Sequence, residues 1–139
     1  MSETIEAFGA CLCGACEFTA ATASTHMGSC HCKTCRTWGG GPYMSIHCGK
    51  DVNFKDTSSI QTFDSSKWAE RGFCKTCGTH LFYHLKGSDQ YMLPAGLFDD
   101  KFHFNFTRQV FIDEKPDYYT FENDTKKMTG PEVMAAFGS

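Results

Sequence analysis

The sequence contains no apolar run near the roughly 20 residues that a membrane-spanning helix needs, so nothing in it marks such a helix. It has no surplus of positive charge either. Thirteen Lys and Arg stand against 16 Asp and Glu, giving a net charge of -3 with no basic tail, so no electrostatic footprint for nucleic acid is present. Internal repeats, low-complexity stretches and long linkers are missing, and a single domain over residues 1–139 is expected. The first residues, Met1 to Glu6, carry acidic side chains where a secretory leader carries positive charge, and no apolar segment follows. A cytoplasmic setting is the expectation.

Helix signals are sparse. Pro131-Glu132 ahead of Val133 to Phe137 marks one short C-terminal helix, and Lys33 to Trp38 fits a single turn stopped by Gly39-Gly40-Gly41. Short aromatic or β-branched runs dominate instead: Cys16 to Thr19, Tyr43 to Ile46, Ile60 to Phe63, His80 to His84 and Gln109 to Ile112. Turn-forming stretches separate them at Gly49-Lys50-Asp51, Lys86 to Asp89 and Asp113 to Pro116. The chain therefore reads as mostly β, with His80 to His84 apolar enough for a strand covered on both faces. Thirteen Phe and five Tyr supply an aromatic core.

No Ser-His-Asp arrangement and no phosphate-binding glycine loop is evident. What the chain has in abundance is cysteine. Nine is an odd number, and in a reducing compartment a disulfide framework is disfavoured. Seven of the nine fall into tight clusters: Cys11-x-Cys13, Cys30-x-Cys32-x-x-Cys35 and Cys74-x-x-Cys77-Gly78. Neighbours at these spacings bridge each other only with strain, whereas their sulfurs turn readily toward one ion. Cys74 to Gly78 has the form of a zinc knuckle, in which Gly78 supplies a position that needs positive φ. A closed structural site needs four ligands, and Cys11 with Cys13 can complete this one. The middle cluster then has three thiolates. Its fourth position is either open, as at a catalytic or ligand-binding zinc, or closed by His31, His47 or Cys48.

The order Gly9 to Gly14, Cys30 to Arg36 and Phe73 to Leu81 resembles the glutathione-dependent formaldehyde-activating enzyme family, whose domain is shared with centromere protein V. The likeness runs from about Gly9 to the Val110 to Ile112 strand. It implies small stacked antiparallel sheets of the β-tent type, seen also in methionine-R-sulfoxide reductases and a Rab-binding zinc protein. It further implies that Cys11, Cys13, Cys74 and Cys77 hold a structural zinc and that Cys30, Cys32 and Cys35 hold a second, catalytic one. The implied activity is that of a carbon–sulfur lyase working on glutathione or its S-hydroxymethyl adduct with formaldehyde. A zinc-stabilised binding module without catalysis is the alternative. A thioredoxin-like redox role fits worse, because no βαβ pattern accompanies the C-x-x-C motifs.

Zinc held by three thiolates is a weak Lewis acid, and a soft thiol suits its fourth position better than water. Lys33, Arg36 and Lys75 can offset the accumulated negative charge. Trp38 with Gly39 to Gly41 either walls a substrate pocket or packs beside a flexible loop. Arg71 either holds a ligand carboxylate or forms a surface salt bridge. His31, between two ligands, is read as packed or supporting the site with its ring turned from the metal, and His80 and His84 as packed. Cys16 and Cys48 are read as core residues. Asp99-Asp100 and Asp113 to Lys115 are read as solvated turns. Gln109 stands where many members of the resembled family are expected to carry His.

Overall fold

Side chains along Glu17–Ser24 alternate between faces, with Phe18 and Ala20 buried and their neighbours exposed, until an extra residue resets the pattern at Ala23. The reset is a bulge. Opposite strand Thr4–Ala10 advances two residues, from Ile5 to Ala7, while this strand advances three, from Ala20 to Ala23, so both alanines face inward.

The computed structural model describes residues 3–137. Strands β1 (Thr4–Ala10), β2 (Glu17–Ser24) and β5 (Val52–Phe54) form an antiparallel sheet in the order β1-β2-β5. The larger sheet contains β3 (His26–Cys30), β4 (Tyr43–Gly49), β6 (Ile60–Asp64), β7 (Ala69–Cys74), β8 (His80–Leu85), β9 (Gln90–Pro94), β10 (Asn105–Val110) and β11 (Lys126–Met128). Their order is β11-β10-β3-β4-β9-β8-β7-β6. Pairing is antiparallel from β3 to β6, whereas β10 joins β3 and β11 joins β10 in parallel. Two short helices, α1 (Lys33–Gly39) and α2 (Gly130–Phe137), complete the regular structure apart from two 3-10 turns. The chain is thus mostly β with few helices, as its aromatic runs imply.

The core fills the space between the sheets. Phe18 on β2 meets Phe54 and Phe98 with ring centroids 5.9 and 5.1 Å apart, and Phe54 meets Phe82 on β8 at 5.9 Å. Ile46, Leu81 and Leu93 from the larger sheet are fully buried beside them. Cys16 and Cys48 lie in this core, and burial pushes both thiols up to about 12.

Two strands end where backbone geometry forces them to. The Gln109 to Ile112 strand read from the sequence stops at Val110, because Phe111 turns the chain at φ 56° into a 3-10 turn over Ile112–Glu114. That strand starts earlier, at Asn105. At the end of β1, Gly9 passes so close to the backbone of Leu97 that a Cβ would lie 2.0 Å from its carbonyl oxygen. This contact and the Gly9–Phe98 bridge fix the point from which the Cys11 loop departs.

Candidate metal centres

Cys11 and Cys13 sit in the turn between β1 and β2, Cys74 ends β7, and Cys77 lies in the turn between β7 and β8. Each turn is closed by a backbone hydrogen bond and a left-handed glycine. Gly14 (φ 83°) donates to the Cys11 carbonyl at 3.1 Å, and Gly78 (φ 80°) donates to the Cys74 carbonyl at 2.7 Å. The turns are tied together where the Leu12 N–H donates to Thr79 Oγ1 at 3.2 Å. Cys11 Sγ lies 3.6 Å from Cys13 Sγ, and Cys13 Sγ lies 3.7 Å from Cys74 Sγ. All four sulfurs fall within 4.8 Å of one another. Tetrahedral zinc with ligands near 2.3 Å places its sulfurs about 3.8 Å apart, so this donor set fits such an ion. The site also supplies polar groups around the sulfurs. The Cys16 N–H points at Cys11 Sγ (3.3 Å), and the Thr79 hydroxyl beside Cys77 Sγ (3.1 Å) helps hold that thiol down to about 5.

The second group gathers Cys30 at the end of β3 with Cys32 and Cys35 of the α1 turn, again within 4.8 Å. Local chemistry explains the shape. Cys32 caps α1, its sulfur accepting from the Cys35 N–H at 3.4 Å, and Gly40 at φ 86° ends the helix by donating to the Arg36 carbonyl. The helix runs two turns rather than the expected one. Without a cation, the crowded thiols share charge unequally: hydrogen bonds from Cys30 and Cys35 hold Cys32 down to about 2, while the same contacts push Cys30 up. A divalent ion bound by all three sulfurs would release the remaining thiol protons.

None of the three candidates for a fourth ligand faces this group. His47 Nε2 lies 2.9 Å from Gln90 Oε1, and Cys48 Sγ donates to the Ile46 carbonyl. His31 is fully buried, with Nδ1 2.6 Å from the Tyr119 hydroxyl and Nε2 2.8 Å from Gln109 Oε1. Gln109 Nε2 donates onward to Thr125 Oγ1 at 2.8 Å, so its Oε1 accepts from His31 Nε2–H while Nδ1 accepts from Tyr119. Burial lowers the His31 pKa, which keeps the ring neutral in this network. The ring thus clamps the metal loop from behind. Gln109 is buried as part of that clamp, a role that neither it nor Tyr119 betrays in the sequence.

Among the proposed ligand contacts, Lys33 is exposed, with its N–H donating to Glu114 Oε1 at 2.9 Å. Arg36 Nε donates to the His31 carbonyl at 2.8 Å, bracing the same loop. Trp38 stacks on His80 with centroids 4.1 Å apart and meets Phe73 at 6.0 Å, which makes it a packed residue. Lys75 is exposed. The two readings of the acidic turns differ in outcome. Asp99 closes its own turn by accepting from the Lys101 N–H. Asp113 and Glu114 instead accept from the backbones of Gly130 and Lys33, joining the last helix and the metal loop to the segment after β10. Of the two readings of Arg71, the surface salt bridge is not found among the described residues. Its side chain is buried behind Trp38 and Tyr83, and Nη2 donates to Cys35 Sγ at 3.6 Å.

A cleft of about 600 Å³ is lined by Leu12, Gly78 and Thr79, chain neighbours of the first group's cysteines, together with Gly39, Tyr43 and His80. Tyr43 pairs with Cys30 across β3 and β4, and its hydroxyl donates to the Met92 carbonyl at 2.9 Å.

Known proteins resemble this chain in sequence or in fold. A protein of Schizosaccharomyces pombe described as an uncharacterized lyase is 39% identical over 127 residues, covering 91% of this chain and 93% of its own. A crystal structure of a Rhodobacter sphaeroides protein superposes with a TM-score of 0.57 at 19% identity, covering 72% of this chain and 99% of that one, which speaks for the fold alone. Residues 6–114 match the family described as glutathione-dependent formaldehyde-activating enzyme, and the chain belongs to it.

Proposed function

We propose that the chain is a zinc-dependent enzyme of the carbon–sulfur lyase type, acting on glutathione or an S-hydroxymethylglutathione-type adduct. The observation that carries this reading is the group of Cys30, Cys32 and Cys35, which has three sulfurs and no fourth His, Cys, Asp or Glu among the described residues. Membership of the family and the relative described as a lyase support it. In this reading Cys11, Cys13, Cys74 and Cys77 hold a structural zinc, and the whole chain acts as one domain in the cytoplasm with a small thiol as its partner.

Bound zinc at the second group would supply a soft acid that holds the substrate sulfur as a thiolate. The residues of the chain do the rest. His31, Gln109 and Tyr119 fix the loop between Cys30 and Cys32, and Arg36 braces its carbonyl, so that the three sulfurs keep their mutual placement before any ligand arrives. The cleft beside Gly39 and Tyr43 gives the remainder of a peptide-sized thiol room to lie.

The test is NMR exchange between formaldehyde and glutathione with and without zinc-loaded protein. Acceleration that disappears in Cys32→Ser supports the enzyme. Unchanged exchange with both groups metal-loaded removes this substrate and leaves the non-catalytic binding module.

A further inference from the structure

A permanent positive charge lies at the back of the second cysteine group, and among the described residues a single hydrogen bond, to Cys35, reaches it. Arg71 on β7 is only 3% exposed. Nη2 reaches Cys35 Sγ at 3.6 Å, but Nε and Nη1 are buried with no hydrogen-bond partner among the described residues. Aromatic rings hold the guanidinium, with its central carbon 4.7 Å from the Tyr83 centroid and 5.8 Å from that of Trp38. No carboxylate pairs with it, since the ion pairs of the described residues involve Glu17, Asp64, Glu70 and Asp89 with other partners. A buried arginine without a counter-ion is too costly to persist unless negative charge lies close by.

The sulfurs are the source of that charge. Three thiolates around one divalent ion carry a single net negative charge, and a fourth thiolate would make it two. In a partly desolvated site such accumulation opposes the entry of an anion. We infer that Arg71 is a specificity-determining residue of the second centre, its buried charge beside Cys35 making the open position accept an anionic sulfur ligand in preference to a neutral one. The inference rests on the reading of Cys30, Cys32 and Cys35 as an open metal centre. Arg71 acts through charge, so Lys should preserve much of its effect and an uncharged side chain should not.

Cobalt-loaded full-length protein tests this, because cobalt reports each added thiolate in its visible spectrum. The first group, closed by four sulfurs, serves as an internal control that added ligand leaves unchanged. Wild type, Arg71→Met, Arg71→Gln and Arg71→Lys are titrated with 2-mercaptoethanol and, separately, with imidazole. The expected result is a loss of thiolate affinity of about tenfold or more in the Met and Gln variants, with imidazole affinity held within about threefold and the Lys variant close to wild type. If the uncharged variants lose cobalt from the second group alone while Arg71→Lys keeps it, the buried charge serves metal retention rather than ligand choice, and the inference is overturned. Equal weakening of both ligands, or Lys behaving like Met, assigns Arg71 to packing and overturns the inference. Failure of wild type to take cobalt at the second group sinks the metal reading itself, an outcome distinct from cobalt that binds without discrimination by Arg71.

Discussion

Cys13 Sγ and Cys74 Sγ lie 3.7 Å apart although 61 residues separate them in the chain. The intervening segment contains two of the three strands of the smaller sheet and half of the larger one, so an ion held by these sulfurs cross-links the fold across a long stretch of chain. By the chain-entropy argument, a cross-link of that span is worth about 4 kcal/mol. The second group spans only Cys30 to Cys35 and closes nothing comparable. Cys74→Ser is therefore expected to lower the melting temperature by more than about 10 °C, and Cys32→Ser by a few degrees, in differential scanning calorimetry. Equal losses would contradict the division of labour between the groups.

The clamp behind the second group has its own energetic signature. Removing the His31 ring leaves Gln109 Oε1 and the Tyr119 hydroxyl without their buried partner. His31→Ala should cost about 2–4 kcal/mol in urea unfolding, from orphaned polar groups and a cavity together. A double-mutant cycle with Gln109→Ala should show coupling of about 1 kcal/mol. Additive effects would mean that the two side chains do not act as a unit.

Burial of Cys48 gives stability a particular pH dependence. Its pKa rises from 9.0 to about 12 because the thiolate is desolvated in the core. The folded value lies above the unfolded one, so the unfolded chain gives up this proton first. Stability from the group is complete below pH 9.0 and drains away as pH climbs toward about 12. Replacing Cys48 with Ala should reduce the slope of unfolding free energy against pH in that window by about one proton. A slope that does not change would place the thiol's ionisation elsewhere.

Gly9 should tolerate no side chain. A Cβ there would meet the Leu97 carbonyl oxygen at 2.0 Å, backbone against backbone, with no flexible side chain to yield. Gly9→Ala is expected to destabilise by about 3 kcal/mol or more and to loosen metal in the neighbouring Cys11 loop. Gly87→Ala, which has open space within 4 Å, is expected to stay within about 0.5 kcal/mol of wild type.

Strands rich in Phe, Tyr and Ile were legible because their own side chains announce them, as in Tyr43 to Ile46 and Ile60 to Phe63. β3 and β7 were not. Gly28 in β3 exists because a Cβ would press on the Arg108 side chain at 2.9 Å, and Gly72 in β7 because one would meet the Phe82 ring at 2.3 Å. Such residues are chosen by a partner strand, and local propensity carries no record of the partner. The same division runs through the metal centres. Spacing marked each cysteine turn, since C-x-C and C-x-x-C present both thiols to one side, while the need for four ligands and the family resemblance joined the Cys11 turn to the Cys74 turn. Gln109, Tyr119 and Arg71 acquire their roles only when distant strands bring them against His31 and Cys35, and no spacing rule reaches that far.

X-ray absorption at the zinc edge, on protein whose metal content has been measured, tests the central claim most directly. Both cysteine groups loaded should give about two zinc ions per chain with a first shell dominated by sulfur near 2.3 Å. Protein that folds without zinc, or zinc surrounded only by nitrogen and oxygen, would contradict it.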